Sequence, residues 1–245
     1  MTKDAIREKV WIRMTAAGIG RFPHARGLIP NFAESESAAA LLSELTIWKR
    51  AKVVKVDASA PLLAVRRNAL REGKVVYLAA PGLRSERCFL ELDPNKLGNR
   101  TAAACNIRGA LQFGRPASPI EMRPVDLVVV GSVAVTKQGA RLGRGTGSED
   151  IEYALLRDAG KAREYTPIMT LVHPLQIVDD RIPMRAHDIP IDFLVTPDRV
   201  VAAPSLYQRP RGIMWELLTE DRIRAIPLLR RRRPARRGAP TPSHV

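Results

Sequence analysis

The sequence predicts an α/β protein of three layers: a doubly wound, mostly parallel sheet with helices on both faces. Two observations carry this prediction. Short apolar segments rich in valine alternate along the chain with amphipathic segments of about 10 to 15 residues, the pattern of parallel strands joined by right-handed helical crossovers. A glycine-rich segment also separates one of these strands from the helix after it, a place where ligands bind in open α/β sheets.

The N-terminal half is predicted to alternate helices with strands. Apolar residues at helical spacing predict helices over residues 2–16, 34–49 and 62–71, and valine-rich runs predict strands over residues 51–56 and 74–80. Within the first helix, the spacing places Ile12 on the buried stripe and Arg7 outside it.

The C-terminal half is predicted to complete the same sheet. Residues 84–124 have weak periodicity and many Gly, Pro and Asn, so we expect a long excursion with short elements there. The elements predicted beyond it are strands over residues 127–135, 168–172, 193–195 and 200–202, a helix that ends at Gly160 and a terminal helix over residues 213–224.

We expect residues 1–230 to form one α/β domain and residues 231–245 to form a disordered, arginine-rich tail. The net charge of the chain is +15, and residues 221–245 hold eight arginines and one aspartate, so nearly half of the excess lies there. Clustered Arg with Pro, Gly and Ser buries little apolar surface. The tail is interpreted first as a solvated extension. RNA or another polyanion as its partner is less favoured, because aromatic residues make up only 5% of the chain.

The chain is expected to be cytoplasmic and to make no membrane contact. No stretch approaches the roughly 18 apolar residues that a membrane span requires, and the N-terminus is charged where a secretory signal would be apolar. Cys88 and Cys105 match neither a disulfide scaffold nor a paired zinc motif, so both are expected to be inert thiols.

The glycine-rich segment before the helix that ends at Gly160 is the strongest candidate site. Glycine occupies positions 139, 143, 145 and 147, with Arg141 and Arg144 between them. Glycine lets a backbone approach a phosphate, arginine offers a fork of N–H donors, and the following helix N-terminus favours an anion. The spacing matches neither a P-loop nor a dinucleotide-binding fingerprint. The alternative is a mobile turn that uses glycine only to change direction.

Side chains at the start of the following helix add to this interpretation. Thr146 or Ser148 is predicted to cap the helix, with a glutamate three residues after Thr146 as in a capping box. Asp150 is a candidate Mg²⁺ ligand beside the phosphates, or else an acidic residue that complements the helix dipole. The roles of His173, at a strand end, and His187, in a His-Asp-Ile-Pro turn, stay open.

Three blocks of sequence occur in an order found in one known family. They are Lys3-Asp-Ala-Ile-Arg7, Gly139-Ala-Arg-Leu-Gly-Arg-Gly-Thr-Gly-Ser-Glu-Asp150 and Pro183-Met-Arg-Ala-His-Asp-Ile-Pro-Ile-Asp192. They resemble the Lys-x-x-Leu-Arg, Gly-x-Arg-Leu-Gly-x-Gly-x-Gly-Tyr-Tyr-Asp-Arg and Pro-x-x-x-His-Asp-x-x-x-Asp motifs of the 5-formyltetrahydrofolate cyclo-ligase family, also called methenyltetrahydrofolate synthetases.

The resemblance implies an ATP- and Mg²⁺-dependent enzyme that phosphorylates the formyl oxygen of 5-formyltetrahydrofolate and closes the ring to 5,10-methenyltetrahydrofolate, with release of ADP and phosphate. A reduced folate or similar small molecule is the implied substrate. By position, Arg141 and Asp150 are implied as catalytic, and Asp150 as the magnesium ligand. The implied nucleotide-binding residues are Lys3, Arg7, Arg141, Gly143, Arg144, Gly145, Thr146 and Gly147.

The sequence departs from the family pattern at Ser148, Glu149 and Ile151, which stand where the family has two tyrosines and an arginine. Residues 53–69 also lack the acidic segment that the family uses around the folate. These departures resemble a divergent branch, the methenyltetrahydrofolate synthetase domain-containing proteins. They leave open a paralogue that uses ATP on another metabolite, as in thiamin salvage. A further alternative is a basic RNA-binding protein on the same scaffold.

Overall fold

A computed structural model describes residues 1–21, 26–204 and 206–234 of the chain. The helices are α1 (Lys3–Ala16), α2 (Ser35–Glu44), α3 (Thr46–Arg50), α4 (Leu63–Arg71), α5 (Pro94–Leu97), α6 (Thr101–Ala104), α7 (Ile107–Phe113), α8 (Ser148–Asp158), α9 (Glu220–Ala225) and α10 (Pro227–Arg232). The strands are β1 (Val53–Val56), β2 (Val75–Ala79), β3 (Phe89–Leu92), β4 (Arg115–Ala117), β5 (Leu127–Val130), β6 (Ala134–Val135), β7 (Arg141–Leu142), β8 (Ile168–Leu171), β9 (Phe193–Val195) and β10 (Val200–Ala202).

Eight of these strands form one sheet in the order β10-β9-β8-β5-β1-β2-β3-β4. The strands from β9 to β2 are parallel to one another, while β10 at one edge and β3 and β4 at the other pair antiparallel. β6 and β7 form a separate antiparallel hairpin. The predicted α/β class with a mostly parallel sheet is confirmed, and the excursion predicted over residues 84–124 contributes the two antiparallel edge strands.

The central strands are buried on both faces because helices cover each side of the sheet. Apart from Lys55 in β1 and Thr170 in β8, the residues of β1, β2, β5 and β8 are apolar, as expected for parallel strands without a solvent-facing side. One core lies between the sheet and α1, α2 and α4, and the other lies between the sheet and α8, α9 and α10. This packing fixes the position of α8 and of the segment before it.

The strand predicted over residues 127–135 ends at Val130. The next residue, Gly131, does not continue the ladder, because its N–H donates to the carboxylate of Asp57 (2.8 Å) and its carbonyl accepts from Arg141 (3.0 and 3.1 Å). The hydrogen-bond partners of Gly131 are thus side chains and not a neighbouring strand. Of the predicted strand beyond Val130, residues 134–135 form β6.

Two predicted helices are also interrupted. The helix predicted over residues 34–49 breaks at Leu45, whose ψ of 138° is extended, and continues as α3. The terminal helix predicted over residues 213–224 begins only after Thr219, whose hydroxyl caps α9, and residues 215–217 form a 3₁₀ turn.

The first helix buries the predicted Ile6, Val10 and Met14, but the prediction was wrong at Ile12 and Arg7. Ile12 is 59% exposed, whereas Arg7 is only 8% exposed. The buried stripe is formed by Ile6, Val10 and Met14, which recur every four residues. Ile12 lies away from that stripe, and Arg7 is buried because the site described below covers it.

The C-terminal boundary of the domain and the state of the two cysteines were also predicted. α10 extends two residues past the predicted domain boundary at 230, and residues 235–245 of the predicted tail lie outside the described residues. Cys88 and Cys105 are buried and free, and burial raises the pKa of Cys88 to about 12, which keeps that thiol protonated. In the ranges described, no helix combines the length and the apolar character of a membrane span.

The packing of α8 on the sheet can be tested with matched leucine substitutions. Leu155 in α8 is 0% exposed, whereas Leu111 in α7 is 53% exposed. We expect Leu155→Ala to lower the free energy of unfolding by about 2 to 5 kcal/mol, because it leaves a cavity in the core. Leu111→Ala should change it by less than about 0.5 kcal/mol. Urea denaturation measures both, and equal losses would contradict the described packing.

Candidate active site

The candidate site is built on the β6–β7 hairpin, residues 143–147 and the start of α8. Arg141 belongs to β7, so the first half of the predicted glycine loop is a hairpin. Gly145 (φ +104°) and Gly147 (φ +63°) adopt backbone conformations that residues with side chains rarely adopt. These two glycines turn the chain from the hairpin into α8.

The N-terminus of α8 presents backbone N–H groups without a side-chain cap. Gly147 is its N-cap residue and has no side chain, so the prediction of Thr146 or Ser148 as the cap is wrong. The hydroxyls of these two residues lie 3.1 Å from each other instead. Unpaired N–H groups and the helix dipole favour an anion at this end of the helix.

Arg141 lies beneath the loop, and its side chain is 2% exposed. Its guanidinium donates to the carbonyl of Gly131 through Nε and Nη2 and to Asp150 Oδ1 through Nη1 (3.2 Å), while Glu149 Oε2 lies 3.7 Å from Nη2. Burial alone would lower the pKa of Arg141, but Asp150 and Glu149 outweigh that effect and raise it. Arg141 is therefore a fixed cation that joins the end of β5 to β7 and the first turn of α8.

Asp150 is held by Arg141 and by the backbone N–H of Ile189, which donates to Oδ1 (3.0 Å). Both contacts use the same carboxylate oxygen. Within the described ranges, no protein donor occupies Oδ2. Asp150 is thus oriented by the protein while one of its oxygens stays available to a ligand.

Helix α1 brings two basic residues to this loop. Arg7 Nε donates to the carbonyl of Gly143 (2.7 Å), and a Cβ added at Gly145 would lie 3.3 Å from the Arg7 guanidinium. Lys3 forms an ion pair with Asp188. The loop is consequently held from below by Arg141 and from the side by α1.

A cavity of about 280 Å³, called the first cavity below, opens on the N-terminus of α8. Its polar lining includes Thr146, Asp150, His187, Thr219 and Arg222, together with the backbone of Gly145 and Gly147. Its apolar wall is formed by Ile151, Ala154, Ile213, Met214, Leu217 and Leu218. A cavity with both kinds of lining suits a ligand in which an anionic group is attached to an apolar one.

A larger cavity of about 590 Å³, the second cavity, lies on the other side of the α8 N-terminus. It borders the residues that follow β1 and β2, at the carboxyl ends of parallel strands where ligands bind in open α/β sheets. Its polar lining residues are Asn31, Asp57, Ser59, Arg66, Asn106, Arg144, Ser148, Glu149 and Glu152. The two cavities therefore share the start of α8.

Three buried charged groups lie at the base of the second cavity. Lys55 forms ion pairs with Asp57 and with Glu152 Oε2 (2.7 Å for the latter), and all three side chains are largely buried. Burial, the largest effect, and the charge of Asp57 raise the pKa of Glu152 to about 7, although Lys55 opposes the rise. The two carboxylates in turn raise the pKa of Lys55 despite its burial. One cation shared by two carboxylates leaves Glu152 close to its titration point at neutral pH.

The segment after β1 is held by Arg66. Its guanidinium donates to the carbonyls of Cys105 (2.8 Å), Asp57 (2.5 Å) and Ser59 (3.0 Å), and burial lowers the pKa of Arg66 to about 10. These bonds satisfy backbone carbonyls that have no strand partner. They also keep one wall of the second cavity in a fixed position.

The two histidines whose roles the sequence left open have different surroundings. His173 Nδ1 accepts a hydrogen bond from the Leu175 N–H (3.2 Å) and caps a 3₁₀ turn, its ring lies 5.9 Å from that of Phe32, and burial lowers its pKa. This is a structural role. His187 lines the first cavity, and its Nε2 is 3.5 Å from Asp188. Its buried Nδ1 has no hydrogen-bond partner among the described residues.

Magnesium binding was predicted at Asp150. No group of three or more His, Cys, Asp or Glu side chains that would enclose a metal ion occurs in the described part of the chain. Mg²⁺, however, usually keeps several waters and binds through one or two carboxylates together with substrate phosphates. Asp150, at the edge of the first cavity with Oδ2 available, fits that mode of binding.

Some of the predicted nucleotide-binding residues line a cavity and others do not. Residues 145–147 line the first cavity together with Asp150, and Arg144 lines the second. The others contact the loop or its neighbours without lining either cavity: Lys3, Arg7, Arg141 and Gly143.

Several residues of the site were not predicted. The buried cluster of Lys55 and Glu152 could have been found from one signal, a single lysine in a strand that is otherwise valine. Arg222, which lines the first cavity, gave no signal because it stands among many arginines near the C-terminus.

Comparison with known proteins places this site in a family. The profile of the 5-formyltetrahydrofolate cyclo-ligase family matches residues 4–197. The chain therefore belongs to the 5-formyltetrahydrofolate cyclo-ligase family.

Methenyltetrahydrofolate synthase domain-containing proteins are relatives whose similarity extends over nearly all of this chain. Those of Danio rerio and Homo sapiens are 34% and 35% identical over 95% and 94% of this chain. The chain spans 62% and 61% of their respective lengths. The solution structure of 5,10-methenyltetrahydrofolate synthetase from Aquifex aeolicus has a similar fold, with a TM-score of 0.53, 24% identity, and coverage of 83% of this chain and 93% of that one.

The structural role of Arg141 can be separated from ligand binding by comparison with Arg144. We expect Arg141→Met to lower the free energy of unfolding by about 3 to 5 kcal/mol, because it leaves buried carboxylates without their cation. Arg144→Met is the matched control: Arg144 is 39% exposed and its Nε lies 4.0 Å from Glu149, so a change below about 1 kcal/mol is expected. Denaturation without any ligand decides the matter, and an unchanged stability of Arg141→Met would show that Arg141 does not hold the loop.

Proposed function

We propose that the chain is an ATP- and Mg²⁺-dependent ligase that converts 5-formyltetrahydrofolate to 5,10-methenyltetrahydrofolate, with release of ADP and phosphate. Membership of the cyclo-ligase family supports this class of reaction. The observation that carries the proposal is the pair of cavities that share the start of α8. Phosphoryl transfer depends mainly on holding a donor against an acceptor and on stabilising charge, and two cavities beside one helix N-terminus suit that task.

The first cavity is assigned to ATP. The N–H groups at the start of α8 and the backbone of residues 145–147 would bind phosphate oxygens, and the apolar wall would hold the base. Magnesium, when bound, would neutralise phosphate charge. Asp150 would be its protein ligand, and Arg141 keeps that carboxylate oriented. Lys3 and Arg7 are proposed to act at the edge of the phosphate site, where they already contact the loop and its neighbours.

The second cavity is assigned to the folate. Residues 57–60 line its wall, and its volume of about 590 Å³ is within the range of small-molecule sites. Asp57, Glu149 and Glu152 offer carboxylate acceptors, which are suited to the N–H donors of a pterin ring. Residues 53–69 lack the acidic segment of the family pattern, and we propose that Asp57, within this range, and Glu149 and Glu152 of α8 take its place.

Glu152 is proposed as the group that accepts the proton released on ring closure. When the N10 amine bonds to the formyl carbon, N10 loses a proton and phosphate leaves with the formyl oxygen. A base whose pKa lies near the working pH is most effective for such a transfer. The pKa of Glu152 is raised to about 7, chiefly by burial, and Glu152 lines the second cavity.

A second candidate keeps the nucleotide and changes the acceptor. Ser148 and Glu149 line the second cavity where the family pattern has two tyrosines, and this polar lining also suits another amide-like metabolite, such as one of thiamin salvage. The RNA-binding alternative stays a prediction, because most of the basic tail lies outside the described residues.

The proposed reaction has a direct test. Purified protein with 5-formyltetrahydrofolate, ATP and Mg²⁺ is expected to produce the absorbance of methenyltetrahydrofolate, and omission of ATP should abolish it. If ATP binds but no product forms above the blank, the folate reaction is excluded in favour of another acceptor. Thermal-shift screening of folates and thiamin breakdown products with ATP then identifies that acceptor, since a ligand at a hundredfold excess over its Kd stabilises by about 2.7 kcal/mol.

The proton-transfer role predicts a specific pH profile. Glu152 must be deprotonated to accept a proton, so kcat/KM of the wild type should rise with pH up to about 7 and then level off. Glu152→Gln should lower kcat by about 10²- to 10⁴-fold and remove this limb of the profile, with little change in ATP affinity. Glu164→Gln, at a side chain that is 64% exposed, is the control and should behave as the wild type. A Glu152→Gln variant with an unchanged pH profile would rule out the role.

A further inference from the structure

Residues 212–222 lie beyond the part of the chain that the family profile matches, yet they supply half of the residues that line the first cavity. These are Gly212, Ile213, Met214, Leu217, Leu218, Thr219 and Arg222. One wall of this cavity is therefore an addition to the matched region.

The added wall is fixed against α8. The N–H of Ile213 donates to Asp158 Oδ1 (3.3 Å), and Gly212 lies so close to the same oxygen that a Cβ there would be 1.9 Å from it. Behind the wall, Ile223 and Leu229 are buried in the core that α8 shares. The segment thus has a defined position at the cavity.

The basic residues around the loop are already matched by carboxylates. The pairs are Lys3 with Asp188, Arg7 with Asp4, Arg141 with Asp150, and Arg144 with Glu149. A triphosphate carries several negative charges and is bound best by cations and N–H groups that are not already neutralised. The loop and α1 alone therefore provide less positive charge than their sequence indicates.

Arg222 differs from these residues in its partner. Its Nη2 donates to the hydroxyl of Ser148, the first residue of α8 (3.0 Å). In the part of the chain that the structure describes, its guanidinium forms no ion pair with a carboxylate. Its backbone N–H donates to the hydroxyl of Thr219 (3.2 Å), which fixes the start of α9. Arg222 is consequently an unmatched cation held beside the uncapped N-terminus of α8.

We propose that Arg222 binds phosphate oxygens of the nucleotide in the first cavity and that residues 213–218 hold its base. Arg222 lies beside the first residue of α8 and lines the same cavity as Gly147 and Asp150, and Met214, Leu217 and Leu218 add apolar lining. This inference rests on the proposed assignment of ATP to the first cavity, but it does not depend on which acceptor the enzyme uses.

The test is a comparison of nucleotide binding by Arg222→Ala and Arg224→Ala. Arg224 is two residues away in the same helix, its side chain is 71% exposed, and it pairs with Asp221. Calorimetry with ATP and with adenosine measures both variants and the wild type, without any folate. Arg222→Ala should weaken ATP binding by about 10- to 100-fold, the loss expected for a charge-assisted bond, and leave adenosine binding unchanged. Arg224→Ala should bind both ligands as the wild type does.

The outcomes separate this inference from the proposed function. If the wild type binds ATP and Arg222→Ala binds it equally well, Arg222 is not a phosphate ligand, while the proposed function survives. If the wild type does not bind ATP, both are overturned. If the wild type binds ATP but makes no methenyltetrahydrofolate, weaker ATP binding by Arg222→Ala still supports the inference. Should Arg222→Ala fail to fold, Arg222→Gln keeps the length and a donor but not the charge, and the same loss is expected for ATP alone.

Discussion

The buried guanidinium of Arg141 is the interaction on which the site depends. It draws together the end of β5, the short strand β7 and the first turn of α8, three segments that the glycines between them would leave free to move. A buried cation is costly without partners and stable with them, so the arrangement is closely defined once formed. The glycine loop is therefore a fixed structure whose geometry is set from beneath.

The distribution of charge around the loop differs from that of the whole chain. The chain is strongly basic, whereas the second cavity is lined by Asp57, Glu149 and Glu152 together with Arg66 and Arg144, with Lys55 as a buried counter-ion. The acidic and basic groups around the second cavity therefore nearly balance, unlike those of the chain as a whole. Such a mixed lining favours a ligand that carries both N–H donors and acceptor groups.

Much of the fold followed from the sequence, because buried parallel strands are valine-rich and their helices amphipathic. The strands over residues 193–195 and 200–202 were predicted with their observed bounds. What failed depended on long-range partners. Gly131 left the sheet because of side chains distant in sequence, and Arg7 became buried because the loop covers it.

The candidate site could be predicted to the same extent. That Gly145, Gly147 and Asp150 lie together at one cavity could be predicted because they belong to one short segment. Other features of the site could not be predicted, because local sequence patterns do not show contacts between distant residues. Lys55 pairs with Glu152, and Arg222 lies beside Ser148, in each case far away in the sequence.

The first cavity is assembled from two parts of the chain that are far apart in sequence. Residues 145–154 line one part of it and residues 212–222 another, while Arg7 of α1 holds the loop beside it. During synthesis the central segment leaves the ribosome well before the last wall of the cavity. The first cavity is consequently completed only after the strands of the sheet have left the ribosome and have had time to pair.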